Sequence, residues 1–117
     1  MTGYRRGDVV LVNFNPCKRP EEIAKVRPAV VVSDTELNEV LDLVSVVALT
    51  TNLIDDAEPL RIRIKARQRL ENDSDAMIEQ LRCVAKSRIG EKIATLSDAE
   101  MEKIVYGIAK MLGIGIH

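Results

Sequence analysis

The chain has 117 residues, enough for one compact domain whose core needs neither disulfide nor metal staples. Apolar residues make up 46% of it, yet only one Phe and two Tyr are aromatic, so the core has to be built from Val, Ile and Leu. Seventeen basic against eighteen acidic side chains leave a formal net charge of −1, which excludes an overall polycation: any basic surface for nucleic acid must be local.

Strand signals dominate the first two-thirds. Asp8 to Phe14 is β-prone and starts just after Gly7. Pro28 to Ser33 and Leu43 to Leu49 are nearly continuous apolar runs, the pattern of strands buried on both faces. Between them, Asp34 to Leu41 predicts a short helix capped by Ser33 or Asp34. Asn52 to Pro59 reads as loop. Leu60 to Lys65 then alternates with period two, placing Leu60, Ile62 and Ile64 toward the core and Arg61, Arg63 and Lys65 outward.

Glu71 to Asp75 reads as a polar turn, and Ala76 to Ile89 as one long or bent strand offering Met77, Ile78, Leu81 and Val84 to the core. Ser97-Asp98-Ala99-Glu100 is a capping box. Met101, Ile104, Val105, Ile108, Met111 and Leu112 recur behind it at helical spacing, and Gly113 can end the helix. The pattern predicts one α+β domain over residues 1–117, with no repeat and no low-complexity segment.

Cys17 and Cys83 lie far apart without metal-like spacing, as reduced thiols of a cytosolic protein would. No apolar run approaches the ~20 residues that cross a bilayer, and no targeting segment precedes the first strand. A soluble, cytoplasmic protein without a membrane partner is the expectation. The single histidine, His117, is the last residue of the sequence, so a Ser-His-Asp or Cys-His machine would have to be assembled from a mobile terminus. Phosphate-cradling glycine loops are absent. The acidic clusters Asp55-Asp56-Ala57-Glu58 and Asp73-Ser74-Asp75 fall in predicted turns, where carboxylates commonly cap or solvate the chain, so neither a metal nor another cofactor is expected.

Two residues stand out for chemistry. Arg27 carries a planar, always charged donor fork suited to phosphate oxygens, and Pro28 biases it toward extended geometry at the start of a rigid strand. Thr50 ends the second apolar run, where a hydroxyl can donate to a phosphate oxygen or bond the local backbone. Arg61, Arg63, Lys65, Arg67, Arg69, Arg82, Lys86 and Arg88 form either a phosphate track or a solvated face neutralised by neighbouring Asp and Glu.

Gly7-Asp8-Val9-Val10-Leu11-Val12, Arg27-Pro28-Ala29-Val30-Val31, Ala48-Leu49-Thr50-Thr51 and the last helix together resemble the MazF/PemK toxins, the ribonuclease halves of bacterial toxin–antitoxin pairs. The resemblance implies a small SH3-like curled antiparallel β-barrel, with a short helix after strand 2 and a C-terminal amphipathic helix, working as a homodimer. It implies cleavage of single-stranded RNA at a short sequence, without metal, by 2′-hydroxyl attack. It also implies silencing by a small acidic antitoxin similar to MazE.

By the same resemblance Arg27 and Thr50 are catalytic, with Thr51 the neighbouring alternative. Glu21, Lys25, Thr51, Asn52, Arg61, Arg63, Glu79, Gln80, Arg82 and Lys86 are the expected RNA contacts, and Glu21, Glu22 and Glu79 are possible bases. One departure is clear. The family's Gly-Ser-Glu-Gln loop reads Lys18-Arg19-Pro20-Glu21-Glu22-Ile23-Ala24-Lys25 here, without its glycine and serine. The alternative from another class is a toxin similar to CcdB, which binds DNA gyrase without cutting RNA. The tryptophan that family uses is missing, although Leu112-Gly113-Ile114-Gly115-Ile116 is similar to its tail.

Overall fold

The computed structural model describes residues 3–14 and 26–115. In chain order the elements are β1 (Asp8–Asn13), β2 (Val26–Val31), α1 (Thr35–Val40), β3 (Leu43–Thr50), β4 (Arg61–Ile64), β5 (Ser74–Met77), β6 (Arg82–Ala85), β7 (Ile89–Thr95) and α2 (Asp98–Leu112). The seven strands make one antiparallel sheet in the order β4-β5-β3-β2-β1-β7, with β6 attached to the first half of β3. The sheet curls but its ladders do not close. Its two ends are linked through the β4–β5 connection, where the Arg69 amide donates to the Ile93 carbonyl of β7 at 3.0 Å.

β3 and the second half of β2 are covered on both faces, as their apolar runs predict, and β1 is covered likewise. Val9, Val30, Val47 and Leu49 face a core closed by Ile62, Ile64, Ile78 and the α2 residues Met101 and Ile104. Val10, Val12, Ala29, Val31, Val44, Val46 and Val84 make a second, valine-lined layer, flanked by Tyr4, Phe14 and Ile89. No aromatic residue is among the buried apolar side chains of the described residues. α2 begins as expected: the Ser97 hydroxyl accepts from the Glu100 amide at 3.2 Å and Glu100 accepts from the Ser97 amide at 2.8 Å. It ends on Gly113 in the left-handed conformation, φ 73°.

Several expectations need correction. β2 is Val26–Val31, two residues earlier than the apolar run, because its ladder with β1 reaches Val26 while that with β3 starts only at Ala29. Pro28 has no amide to extend the second ladder. Asp34, not Ser33, caps α1, accepting from the Glu36 and Leu37 amides. Leu60 is exposed rather than core-facing, since its amide closes a turn on the Ala57 carbonyl before β4 begins. Leu112, expected on the apolar face of the last helix, is also exposed.

Ala76 to Ile89 is not one strand. β5 pairs with the end of β3 and β6 with its beginning, and the register slips by three residues between them. The 3₁₀ turn Ile78–Gln80 takes up that slip, and a second one, Lys86–Arg88, turns the chain into β7. Ser74 and Asp75, expected in a polar turn, lie in β5 and are buried.

Candidate functional site

Arg27 lies in β2 opposite Val12 of β1, with its side chain exposed and no ion pair among the described residues. The β2–β3 pairs run Val31↔Val46, Val30↔Val47 and Ala29↔Ala48. Continuing that register two residues past the ladder brings Arg27 opposite Thr50. By strand alternation both belong to the valine-lined face, at its rim.

Pro28, without an amide, stands where the β2–β3 ladder stops, one residue short of Arg27. Thr50 is half-buried, and its hydroxyl oxygen accepts from the Asn52 amide at 3.1 Å, which leaves the hydroxyl proton available to a ligand. Pro28 and Thr51 turn to the opposite face. There they line a cleft of about 270 Å³ with Leu11, Leu49, Leu70 and Asn72.

Arg82 of β6 pairs with Val46, so it stands on the same face as Arg27 and Thr50, with its guanidinium 5.2 Å from the Phe14 ring centroid. Phe14 was not among the sequence candidates, and the only sequence signal for it is its position at the end of β1. Lys86 follows in the turn after β6 and has no carboxylate partner among the described residues. Arg88 donates to the Asn13 carbonyl at 3.2 Å. Glu79 and Gln80 are exposed in the turn after β5. Thr51 and Asn52 are exposed just past β3. Glu21, Glu22 and Lys25, like Cys17 and His117, lie outside the described residues.

The other five basic candidates are engaged by carboxylates. The Arg63 Nε donates to Asp75 at 2.6 Å and its Nη2 to Asp55 at 2.8 Å. Arg61 lies 3.7 Å from Asp75 and 3.9 Å from Glu79, and donates to the Asn52 carbonyl at 3.3 Å. Lys65 faces Asp73, Arg67 is bidentate to Glu100, and Arg69 pairs with Glu91. Of the two readings of these cations, the neutralised face describes residues 61–69. Of the candidate cations, Arg27, Arg82 and Lys86 are in no ion pair among the described residues.

Asp75 is the residue that sequence reasoning missed. It is 1% exposed and sits directly opposite Thr50 in the β3–β5 ladder and opposite Arg63 in the β4–β5 ladder. Burial pushes its carboxyl upward. Hydrogen bonds from Arg63 and the Ile54 amide, with the charges of Arg63 and Arg61, outweigh that and hold it below the ordinary carboxylate range. The Arg63 guanidinium is stabilised in turn, first by its bond to Asp75 and then by that to Asp55. Among the described residues no group of three or more His, Cys, Asp or Glu could hold a metal ion, and no helix is long and apolar enough to cross a membrane.

The sequence profile of the "PemK-like, MazF-like toxin of type II toxin-antitoxin system" family matches residues 5–112. Over 111 residues the chain is 32% identical to the Endoribonuclease MazF of Staphylococcus saprophyticus, covering 94% of this chain and 92% of the relative. In shape it is similar to a chain of a MazE–MazF crystal structure from Deinococcus radiodurans, with a TM-score of 0.82 at 20% identity over 98% of this chain and 100% of that one. It is likewise similar to the Mycobacterium tuberculosis toxin MazF-mt6, with a TM-score of 0.77 at 14% identity over 93% and 99%. The site lies wholly inside the matched span, and with the family's fold around it this chain belongs to the PemK-like, MazF-like toxins of type II toxin–antitoxin systems.

Proposed function

We propose that this chain is an endoribonuclease that cuts single-stranded RNA at a short recognition sequence, without a metal ion. The reading is carried by an exposed Arg27, without an ion pair among the described residues, on the strand register that leads from the Ala29↔Ala48 pair toward Thr50. The RNA supplies its own nucleophile. A ribose 2′-oxygen attacks the adjacent phosphorus, the bond to the 5′-oxygen breaks, and the products are a 2′,3′-cyclic phosphate and a 5′-hydroxyl end.

The protein's part is to hold that attack in line and to meet the negative charge growing on the non-bridging oxygens. Arg27 supplies the charged fork and Thr50 a neutral donor beside it. A guanidinium with a pKa above ~12 is a poor proton acceptor, so Arg27 acts as an electrostatic group and can pass a proton to the leaving oxygen. The base is a carboxylate: Glu21, Glu22 or Glu79. Arg82 and Lys86 extend the phosphate path, Lys25, Thr51, Asn52 and Gln80 add polar contacts, and Arg61 and Arg63 border it from their ion pairs.

The protein works in the cytoplasm as a homodimer, its curled sheet forming an SH3-like barrel. A small acidic antitoxin covers the groove, because arginines placed for phosphates also satisfy carboxylates. The presence of MazE beside MazF in the Deinococcus radiodurans structure supports that partner class. The gyrase-binding alternative gains no support from the matched family.

The deciding experiment incubates purified protein with a long RNA in excess EDTA. Fragments with 5′-hydroxyl ends are expected, and a substrate with deoxyribose only at the cut nucleotide should stay whole. Intact RNA in EDTA with cutting restored by Mg²⁺ overturns the metal-free mechanism. RNA intact under both conditions overturns the ribonuclease reading.

A further inference from the structure

We propose that Asp75 is a positioning residue for this site: with Arg61 and Arg63 it sets the Thr50–Ile54 turn and so orients the Thr50 hydroxyl. The inference rests on the ribonuclease reading above and concerns the residues that prepare the site rather than those that touch the RNA.

The connections are continuous. Asp75 Oδ2 accepts from the Ile54 amide at 2.8 Å and fixes the far end of the turn. Arg61 Nη1 lies 3.7 Å from the same oxygen and donates to the Asn52 carbonyl at 3.3 Å, which fixes the middle. The Asn52 amide, now aimed back along the chain, donates to Thr50 Oγ1 at 3.1 Å. With that oxygen engaged as an acceptor, the hydroxyl hydrogen is left to point at whatever occupies the face shared with Arg27. Arg63 clamps the other carboxylate oxygen at 2.6 Å, so the side chain cannot rotate away.

A carboxylate 1% exposed is costly to keep unless each oxygen is satisfied, and here both are. A valine in its place would fill the layer without that penalty, but it would leave the Ile54 amide and Arg61 without their common anchor. The buried charge therefore has work beyond packing, and the work ends at Thr50.

The test compares Asp75→Asn with wild type in steady-state RNA cleavage. Asparagine keeps the shape and an acceptor for Ile54 but gives up the charge that holds Arg61 and Arg63. The expected result is at least a tenfold fall in kcat with KM within about twofold, and faster hydrogen exchange at the Asn52 amide. The control Asp55→Asn removes only the exposed partner of Arg63 and should leave kcat within about twofold.

If Asp75→Asn does not fold, Arg63→Gln frees the carboxylate from outside the core and should again lower kcat more than it raises KM. A folded Asp75→Asn protein with wild-type kcat, or an Arg63→Gln protein in which only KM rises, overturns the assignment. Absence of cleavage by the wild-type protein counts against the ribonuclease reading instead. In that event exchange at the Asn52 amide alone decides whether Asp75 holds the turn.

Discussion

Arg27 owes its position to the proline beside it. Without an amide at residue 28 the β2–β3 ladder stops at Ala29, so Arg27 is laddered to Val12 of β1 on one side while its side chain is exposed. Because it points to solvent, Arg27→Ala should leave the melting curve nearly unchanged while reducing RNA cleavage by at least ~10², the usual loss for one transition-state donor. Thr50→Ala should cost less, since it removes a neutral donor. A folded Arg27→Ala protein that cuts at the wild-type rate would remove Arg27 from the site.

The strand positions of the two residues were legible in the Arg-Pro step and in the apolar run ending in threonine, while the role proposed for them came from the resemblance. Asp75 was not legible. Its partners, Arg63 across the β4–β5 ladder and Ile54 in the loop after β3, lie 12 and 21 residues away in sequence, whereas its immediate neighbours Asn72, Asp73 and Ser74 all favour a turn. Long-range pairing overrode a local preference there.

At the level of elements, legibility followed how local the causes were. The capping box and the apolar spacing of α2, the double-faced runs of β2 and β3 and the alternation at Ile62 and Ile64 are written in adjacent residues, and they hold. The break between β5 and β6 is a three-residue register slip forced by two different stretches of β3, which no local pattern announces.

The seat of α2 on the sheet depends on Gly107. A Cβ there would lie 2.4 Å from the Pro59 carbonyl oxygen and 3.2 Å from an Ile78 side-chain carbon. The nearest obstacle is backbone, which cannot swing aside as a side chain does. Gly107→Ala gains at most ~1 kcal/mol of helix propensity, whereas overpacking of a tight contact costs ~1–3 kcal/mol. A net loss in the free energy of urea unfolding is expected, and a gain would show that the helix shifts freely on the β4–β5 layer.

For the whole molecule, acid weakens the fold through three carboxylates held below their ordinary range. Asp73 is held below the ordinary carboxylate range chiefly by the Ala66 amide, and Glu100 chiefly by Arg67. Asp75 is held low by Arg63 and Ile54 against its burial. Each group has a lower pKa folded than unfolded, so on acidification the unfolded chain takes up protons first. Stability is therefore complete above the unfolded values near ~4 and is lost as pH falls through the lower folded ones.

Urea midpoints should be level from neutrality to about pH 5 and fall steadily below it. Glu100→Gln should flatten part of that decline, because its contribution is then absent at every pH. A midpoint that stays level to pH 3 would mean that these pairs add nothing to the fold.

The ion pairs along β4 and the following loop also set how the protein should respond to salt. A cation already shared with a carboxylate has little bound anion to surrender when a polynucleotide arrives, so it releases few counterions. If Arg27, Arg82 and Lys86 carry the phosphate contacts, log K for single-stranded RNA should fall against log salt with a slope of about −2, at ~0.7 per phosphate neutralised. All eight expected phosphate-track cations and Arg27 acting together would give about −6. Binding of that gentler kind survives the ionic strength of a cell, and it leaves discrimination between RNAs to shape and hydrogen bonding rather than to attraction at a distance.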